Sequence, residues 1–421
     1  MMVVPKLRFK NFNQNWNEYR LGEISSKIGS GSTPKGGASA YSTNGIPFIR
    51  SQNIHNDNLQ LDDVVYISSE INTKMKGSQV KAYDILLNIT GASIGRTCVV
   101  PGDFSQGNVN QHVCIIRLKD NNPKFFQSYL SSSKGQNLIN NSQSGSGREG
   151  LNFQHIKAMK IFAPNINEQN KIANFLSSVD KKIMLQSRKI VLLQQYKKGM
   201  MQNLFSQKIR FKDNDGYSFP TWTITSFGEA YSFLATNSLS RACLTDDCGN
   251  IKNIHYGDIH TKYPALLDSN IQRIPYIKEG IDTSKFEISK KGDLIIADAS
   301  EDYNDIGKSV EIIATEEKSP LVAGLHTFLA RPTINFASGF SGYLMQTEHI
   351  RHQIKVLATG ISVLGISKSN LAKVTFFIPC IEEQQKIADF LSSIDDKITI
   401  ENNKLDKLKQ WKQGLLQQMF V

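Results

Sequence analysis

Apolar residues recur at alternating spacings of three and four in two long stretches of the chain, residues 162–205 and 377–420. This spacing is typical of a heptad seam, the stripe that a helix buries against a partner helix. We therefore predict two long helices, each of which needs a partner along its length. The predicted seam residues are Ile172, Leu176, Val179, Ile183, Ile190, Leu193 and Met200 in the first stretch, and Ile387, Leu391, Ile394, Ile398, Leu405, Leu408 and Leu415 in the second.

Polar residues interrupt both seams at the same two heptad positions. Gln186 and Glu401 share the first position, and Lys197 and Lys412 share the second. Polar residues in a coiled-coil core usually fix the register of the helices at some cost in stability. Long polar side chains can also reach out from a seam to water. The pattern leaves both interpretations open.

The repetition extends well beyond the helices. The two stretches align without a gap, and about half of their residues are identical. LRFK at residues 7–10 returns as IRFK at residues 209–212, and Trp16 followed by LGE returns as Trp222 followed by FGE. DILL at residues 84–87 is matched by DLII at residues 293–296. A repeat of this length fixes the architecture, so we predict two tandem copies of one unit.

Short β-branched runs within each copy indicate strands, among them residues 64–67, 85–87 and 113–116. Helices are predicted at residues 124–138 and 342–356, and the segments between are rich in Gly, Ser, Asn and Asp, as loops are. The predicted fold class is α+β: two mixed α/β domains, each followed by a long helix.

The charge of the chain indicates an anionic partner. The formal net charge is +11, and the excess of Lys and Arg lies in residues 1–206, while residues 207–421 are close to neutral. By charge, only the first half has the composition of a nucleic-acid binder. No apolar run approaches the roughly 18 residues of a membrane span, and the N-terminus lacks a signal-peptide core. We therefore expect a cytoplasmic protein without a membrane partner, with its five cysteines reduced.

No catalytic or metal-binding pattern stands out. GSGSTPKGG at residues 29–37 lacks the spacing of a phosphate-binding loop, so a flexible loop is predicted there. The eight histidines and five cysteines show no zinc-site spacing. We predict a chain without catalytic residues or a bound metal.

One segment, present in both copies, carries a family resemblance. PNINEQNKIANFL from Pro164 and PCIEEQQKIADFL from Pro379 share the pattern P-x-x-x-E-Q-x-K-I-A-x-F-L. In this respect the chain resembles the specificity subunits of type I restriction-modification systems. GSGSTP after the first LGE and GDI at residues 257–259 also resemble stretches of such subunits, although FLATNSLSR at residues 233–241 replaces GSGSTP in the second copy.

The resemblance implies an organisation and a set of partners. Residues 1–163 and 207–378 would be two target-recognition domains, and residues 164–206 and 379–421 would be helices that pair as an antiparallel coiled coil and bind partner subunits. Each domain would read one half of a split double-stranded DNA target across an unread spacer whose length the helix pair sets. Two modification subunits would methylate adenine and restriction subunits would cleave. The chain itself would hold no cofactor, and S-adenosylmethionine, ATP and Mg²⁺ would belong to the partner subunits.

Loop residues with hydrogen-bonding or basic side chains are the candidate DNA contacts. Arg, Asn and Gln can bind base edges, Lys mainly binds phosphate, and an acidic side chain can accept from the amino group of cytosine. The candidates are Arg50, Gln52, Asn53, Lys74, Lys76, Asn88, Thr90, Arg96, Asn110 and Gln111 in the first copy, and His255, Tyr256, Asp258, His260, Lys262, Ser300, Asp302, Asn304 and Lys308 in the second. His112 and His326, which apolar strand residues flank, are predicted to pack inside the framework.

Two other classes of protein fit parts of the pattern. An enzyme with an unrecognised methylation or cleavage domain would bind S-adenosylmethionine or nick DNA by itself. A coiled-coil adaptor that never touches DNA would bind its partners without the steep salt dependence that phosphate contacts produce.

Overall fold

A computed structural model describes residues 4–55, 57–143 and 150–421 of the chain. The chain divides into two compact units. The first unit comprises Met1–Arg188 and Asn402–Val421, and the second comprises Lys189–Glu401. Each long helix therefore contributes one part to each unit, and it is named with the unit in which it begins. Within the described ranges, every helix is too short or too polar to span a membrane.

The described part of the first unit contains two four-stranded sheets, with strand orders β6-β3-β10-β7 and β2-β11-β8-β9, and two strand pairs, β1-β12 and β4-β5. The strands are β1 Asn17–Arg20, β2 Ser25–Ser30, β3 Ile46–Ile49, β4 Ile54–His55, β5 Asn58–Leu59, β6 Val65–Ile67, β7 Gln79–Val80, β8 Ile85–Asn88, β9 Thr97–Val99, β10 Gly107–Val109, β11 Val113–Leu118 and β12 Lys160–Ala163. The helices are α1 Ser69–Lys74, α2 Pro123–Ser131, α3 Ser133–Asn141, α4 Phe153–Ala158 and α5 Ile166–Phe205.

Strand β8 is buried on both faces, which explains its unbroken apolar sequence. Ile85 and Leu87 point into the cluster that contains the helix residues Phe126 and Leu176. Leu86 points into a second cluster with the strand residue Val109. Successive side chains of a strand point to opposite faces, so one short strand joins two of the apolar clusters of this unit.

The described part of the second unit contains a four-stranded sheet, β15-β18-β16-β22, a five-stranded sheet, β14-β23-β19-β21-β17, and the pairs β13-β25 and β20-β24. The strands are β13 Thr223–Ser226, β14 Tyr231–Leu234, β15 Leu244–Thr245, β16 Lys252–Ile254, β17 Leu266–Asp268, β18 Tyr276–Ile277, β19 Leu294–Ala297, β20 Ala299–Ser300, β21 Ser309–Ala314, β22 Leu321–Ala323, β23 Thr327–Pro332, β24 Leu364–Gly365 and β25 Thr375–Ile378. The helices are α6 Phe227–Ala230, α7 Tyr256–Thr261, α8 Phe340–Leu344, α9 Glu348–Leu357, α10 Lys368–Leu371 and α11 Ile381–Gln418.

The two units repeat the same framework, which confirms the prediction of two tandem mixed domains with a long helix after each. Strands β3, β8, β10 and β11 correspond to β16, β19, β22 and β23. A buried aspartate before an inner strand of the sheet binds an arginine of the neighbouring antiparallel strand in both units: Arg117 Nε lies 2.7 Å from Asp84 Oδ1, and Arg331 Nη2 lies 2.8 Å from Asp293 Oδ2.

The predicted seam residues of α5 and α11 are all buried or half-buried. The lysines that interrupt the seam form ion pairs rather than reaching out to water. In the second unit, Lys197 lies 2.7 Å from Asp395. In the first unit, Lys412 lies 2.7 Å from Asp180. Glu401 is paired as well, 2.9 Å from Lys189. Of the two interpretations of these polar positions, the contacts favour the one in which they fix register.

The repeated Glu-Gln pair fastens the start of each long helix to its own unit. Glu168 accepts hydrogen bonds of 2.7 Å from Arg8 Nε and Nη2, and Glu383 accepts bonds of 3.0 and 2.7 Å from Arg210. Gln169 donates to Pro164 O and accepts from Asn122 N. The motif therefore joins the helix to the preceding domain through buried side chains.

Three local predictions need correction. The helix predicted at residues 124–138 breaks at Ser132, whose Oγ accepts from Gly135 N and starts α3. The helix predicted at 342–356 is likewise two helices, α8 and α9, and α9 begins after Thr347. The flexible loop predicted from Gly29 is in part the end of β2, which pairs with β11.

Candidate nucleic-acid interface

Equivalent strand ends meet at one edge of each unit and carry most of the predicted DNA contacts. In the first unit, β3 and β10 run parallel and lead into Arg50 and Asn110, while β8 leads into Thr90. The edges of the two sheets are joined there, because Asn88 Nδ2 donates to Ser51 O at 2.9 Å and Val113 N donates to Asn110 O. We refer to this region as the strand-end edge of the unit.

A cleft of about 400 Å³ opens at the strand-end edge of the first unit. Three predicted contacts, Gln52, Thr90 and Arg96, lie on its wall. The complete lining consists of Ser51, Gln52, Thr90, Gly91, Ala92, Ser93, Arg96 and His112. Hydroxyl, amide, imidazole and guanidinium groups thus surround one opening, and this combination can donate to and accept from base edges.

A chain of hydrogen bonds orders the side chains at the cleft. Thr33 Oγ1 donates to Gln111 Oε1 at 2.8 Å, and Gln111 Nε2 lies 3.1 Å from His112 Nε2. An amide nitrogen can only donate, so His112 Nε2 accepts and His112 Nδ1 carries the proton. Nδ1 then donates to Thr90 Oγ1, 2.5 Å away. The hydroxyl proton of Thr90 is left available for an acceptor outside the chain of bonds.

His112 is not the packed framework residue that the sequence predicted. It is half-buried and lines the cleft, because β11 begins only at the next residue, Val113. The side chain therefore belongs to the turn before the strand and not to the apolar face of the strand.

Three predicted contacts in the first unit, Asn53, Asn88 and Asn110, are buried and hold the loops in place. Asn53 Oδ1 accepts from Arg50 N at 2.9 Å, and Asn110 Oδ1 accepts from His112 N at 3.1 Å. Asn88 Nδ2 donates to Ser51 O. Because all three side chains are buried and bind groups of the same unit, a supporting role fits them better than the predicted contact with bases.

The remaining candidates of the first unit are more scattered. Arg50 is half-buried beside the cleft, and its Nε has no hydrogen-bond partner among the described residues. Lys74 and Lys76 are exposed on α1 and the turn after it, outside the cleft lining, and Lys74 pairs with Glu70 at 2.6 Å. The predictions for these three residues are not tested by the geometry.

The strand-end edge of the second unit carries an aromatic and imidazole cluster. The ring of Tyr256 lies 4.6 Å from His255, 5.3 Å from His326 and 5.8 Å from His260, measured between ring centroids. His260 Nε2 lies 3.1 Å from Ala299 O, so this ring also contacts β20, which follows β19 in the chain. Predicted contacts from α7 are thus brought together with residues beside β19 and β23.

His326, like His112, differs from its predicted framework role. Its side chain is 52% exposed and its backbone φ is 52°, a left-handed conformation typical of turns. His326 Nδ1 lies 3.4 Å from Asp298 Oδ1. Burial raises the pKa of Asp298 above its usual value, against the opposing effect of His326. His326 therefore pairs with a carboxyl group, whereas the equivalent His112 pairs with the hydroxyl group of Thr90.

Asp258 cannot serve as the predicted acceptor for cytosine, because its side chain is only 1% exposed. Arg241 Nη1 donates to its Oδ2 at 2.7 Å, and Lys262 Nζ lies 2.9 Å from its Oδ1. Burial alone would raise the pKa of Asp258, but the bonds and charges of Arg241 and Lys262 outweigh it and hold that pKa below its usual value. The carboxylate is therefore covered from solvent and paired with two cations.

The other predicted contacts of the second unit differ in how far their side chains are exposed. Ser300 is buried and shapes its own turn, since its Oγ accepts from Asp302 N. Asp302 and Asn304 are exposed, and Asn304 Oδ1 accepts from Lys355. Lys308 is half-buried and donates to His260 O.

Sequence reasoning missed Arg241 and Asp298 and misplaced His112 and His326. One signal was present: the two histidines occupy matching positions in the repeat, NQHVCIIRL and GLHTFLARP. Arg241 gave no such signal, since its partner Asp258 is brought to it only by the fold. Among residues 4–55, 57–143 and 150–421, no cluster of three or more His, Cys, Asp or Glu side chains is arranged to hold a metal ion.

Comparison with known proteins places these features in a family context. The family model described as "Type I restriction modification DNA specificity domain" matches residues 13–195 and 222–410. The chain is 22% identical to the "Type I restriction enzyme MjaVIII specificity subunit" of Methanocaldococcus jannaschii, over 72% of this chain and 71% of the relative. It is 22% identical to the "Putative type I restriction enzyme MjaX specificity subunit" of the same organism, over 96% of this chain and 92% of the relative.

A solved structure has a similar fold. The crystal structure of the type I restriction-modification system S subunit from M. genitalium superposes with a TM-score of 0.54 at 16% identity, covering 100% of this chain and 99% of that one. At this level of identity, the likeness supports the fold alone.

Proposed function

Because the chain belongs to the family of type I restriction-modification DNA specificity domains, we propose that it directs partner subunits to a bipartite DNA sequence, with each unit reading one half. The observation that carries this proposal is the strand-end edge, which occurs in both units on the same framework but with different side chains. Thr90, Gln111 and His112 form the edge of the first unit, whereas Tyr256, Asp298 and His326 form that of the second. Equivalent edges with unlike chemistry would read unlike half-sites.

We propose further that α5 and α11 pair as an antiparallel coiled coil and that this pair sets the unread spacer. The ion pairs inside the second unit support this orientation: Lys189 meets Glu401, and Lys197, further along α5, meets Asp395, which is earlier in α11. In antiparallel helices, a residue further along one helix is expected to pair with a residue earlier in the other. Half-sites that face one side of a duplex must be separated by a defined number of base pairs, so a rigid spacer element would act as a ruler.

The chain would contribute recognition and no catalysis. In the proposed complex, two modification subunits transfer a methyl group to adenine, using S-adenosylmethionine that they bind themselves. Restriction subunits with ATP and Mg²⁺ would cleave unmodified DNA. These cofactors belong to the partners in the proposal, and the role of this chain is to bring the partners to the target on double-stranded DNA.

Methylation mapping tests the proposal directly. Cells carrying a type I modification subunit are compared by long-read methylation sequencing with and without this chain. The proposal predicts a new split motif of two unlike half-sites, with methylated adenine only when the chain is present. An unchanged methylome would contradict it, provided that the same modification subunit is active with another specificity subunit.

A further inference from the structure

The second unit presents an exposed pair of cations although the second half of the sequence is close to neutral. Arg241 lies in the turn before β15, and Lys262 follows α7 at the strand-end edge. Their side chains are 48% and 53% exposed, while Asp258 between them is 1% exposed. Two positive charges therefore face the solvent, and the negative charge that binds them does not. A count of acidic and basic residues cannot detect this arrangement.

The carboxylate fixes the position of both cations. Asp258 Oδ2 accepts from Arg241 Nη1 at 2.7 Å, and its Oδ1 lies 2.9 Å from Lys262 Nζ. Among the described residues, Arg241 makes this one side-chain hydrogen bond, so its other N–H groups remain available as donors. A guanidinium held by one edge keeps the planar donor geometry that matches phosphate oxygens.

The other arginines with side-chain contacts in this unit are used differently. Arg331 donates to Asp293, Glu287 and Ile288 O, and Arg210 donates to Glu383 and to two backbone carbonyls. Arg351 is half-buried and donates to the backbone carbonyls of Asn304 and Ile306. Each of these side chains is held by two or more framework groups. Arg241, by contrast, is held by its one bond to Asp258. Asp258 lies in α7, which begins at Tyr256 and ends just before Lys262. Both cations are therefore close to the base-facing candidate Tyr256, whose ring contacts His326.

We propose that Arg241 and Lys262 bind the phosphate backbone of DNA beside the half-site that the second unit reads, and that Asp258 is the positioning residue that presents them. This inference rests on the proposed function. It names the contacts by which the second unit, whose sequence is close to neutral, would bind DNA. Phosphate contacts fix the register of a protein on the duplex, and side chains such as Tyr256 and His326 are then positioned to meet bases.

The test uses the full chain assembled with its modification subunits and two fluorescent duplexes of equal length. One duplex carries the mapped target, and the other has the half-site of the second unit scrambled. Affinity is measured by anisotropy over a series of salt concentrations for the wild type, Arg241→Gln, Lys262→Gln and the double variant. Each single variant leaves one cation on Asp258, so the buried carboxylate stays paired. Lys318→Gln is the matched control, because Lys318 is exposed and precedes β22 at the end opposite to His255.

We expect the slope of log affinity against log salt to become shallower by about 0.9 for each cation removed and by about 1.8 for the double variant. The loss should be equal for both duplexes, since phosphate contacts carry no sequence information. Lys318→Gln should leave the slope unchanged. A loss confined to the target duplex would overturn the assignment to phosphate, and unchanged slopes, or an equal effect of Lys318→Gln, would overturn the proposal.

Asp258→Asn tests the positioning role separately. The asparagine variant keeps both cations but removes the charge that orders them, so we expect weaker binding to both duplexes with the thermal melting temperature of the assembled complex retained. Adding Arg241→Gln should then cost less than it does in the wild type. Full additivity would contradict the positioning role. If the wild-type complex does not prefer the target duplex over the scrambled one, the proposed function fails. If it does and the variants show the salt slopes of the wild type, only this inference fails.

Discussion

The ammonium group of Lys412 lies 2.7 Å from Asp180, so one side chain of α11 is bound to a carboxylate of α5 within the first unit. The same ammonium lies 2.7 Å from Asp57, at the turn between β4 and β5. The equivalent lysine of the second unit, Lys197, binds Asp395 and lies 5.0 Å from the ring centroid of Tyr343. In the first unit, this repeated lysine thus connects both helices to the segment between β4 and β5.

Lys412→Ala should destabilise the first unit by about 2 kcal/mol. The side chains of Asp57 and Asp180 are 23% and 24% exposed, so the cost is discounted from the roughly 3–5 kcal/mol of a fully buried pair. Urea unfolding of the full chain measures it, with Lys409→Ala, an exposed lysine of the same helix, as the control. Equal unfolding midpoints for the two variants would show that the buried ion pair contributes nothing.

The two matched tryptophans should respond differently to the same substitution. Trp222 Nε1 donates to Glu383 Oε2 at 2.9 Å, whereas Trp16 Nε1 is buried without a hydrogen-bond partner among the described residues. Phenylalanine has no N–H group to satisfy. Trp222→Phe therefore loses a charge-assisted bond, and Trp16→Phe removes an unsatisfied donor. We expect Trp222→Phe to lower the free energy of unfolding by about 1–3 kcal/mol more than Trp16→Phe does.

Each substitution serves as the control for the other, since both remove the same atoms from equivalent framework positions. Denaturant unfolding of the two full-length variants measures the difference. A larger loss for Trp16→Phe would mean that packing, and not the bond to Glu383, decides the stability of this position.

The repeated Glu-Gln motif shows how far the sequence could predict the fold. Its recurrence was sufficient to predict two tandem units and their long helices, because a helix seam is a periodic pattern that local sequence carries. The sequence did not show which groups the side chains of the motif bind. Gln169 and Gln384 each donate to the proline carbonyl five residues earlier and accept from a backbone N–H of their own unit. The two backbone N–H groups belong to Asn122 and Ala337, each 47 residues before its glutamine, and only the fold brings them together.

The candidate interface was less predictable than the fold, for the same physical reason. Asp258 and Asn88 have the residue types of DNA contacts, yet other segments cover them and use their hydrogen-bonding groups. His112 and His326 have apolar neighbours, yet each stands one residue before its strand begins. Exposure depends on tertiary packing at the ends of elements, where sequence patterns locate boundaries least well.

Glu311 should make the stability of the second unit depend on pH near neutrality. Its carboxylate is buried and accepts from Gly339 N and Gly342 N, and burial raises its pKa from 4.5 to about 7 against the effect of those bonds. Between these values the folded state binds more protons than the unfolded state, so the free energy of unfolding falls as pH rises from about 5 to 7. The full effect of this shift is about 3 kcal/mol.

Glu311→Gln removes the titrating group and should flatten this dependence between pH 5 and 8. Urea unfolding at a series of pH values measures it, with Glu317→Gln, an exposed glutamate, as the control. A variant whose stability still falls over this range by the wild-type amount would show that another group is responsible.

His112 and His326 should each control one half-site of the target. They occupy equivalent positions at the strand-end edges of the two units, with Thr90 beside one and Asp298 beside the other. In the first edge, His112 orients the Thr90 hydroxyl, which can donate to a base edge, and in the second edge Asp298 orients the imidazole of His326. A good base contact contributes about 1–3 kcal/mol of discrimination. We expect His112→Ala to relax base preference in one half-site, His326→Ala in the other, and each to reduce methylation of the full target by about tenfold.

Methylation mapping in cells resolves the two halves, and His349→Ala, which replaces an exposed histidine on α9, should change the preference in neither. Equal loss of preference in both half-sites from either variant would mean that the substitution disturbs the assembly as a whole, and that the two edges do not read the target independently.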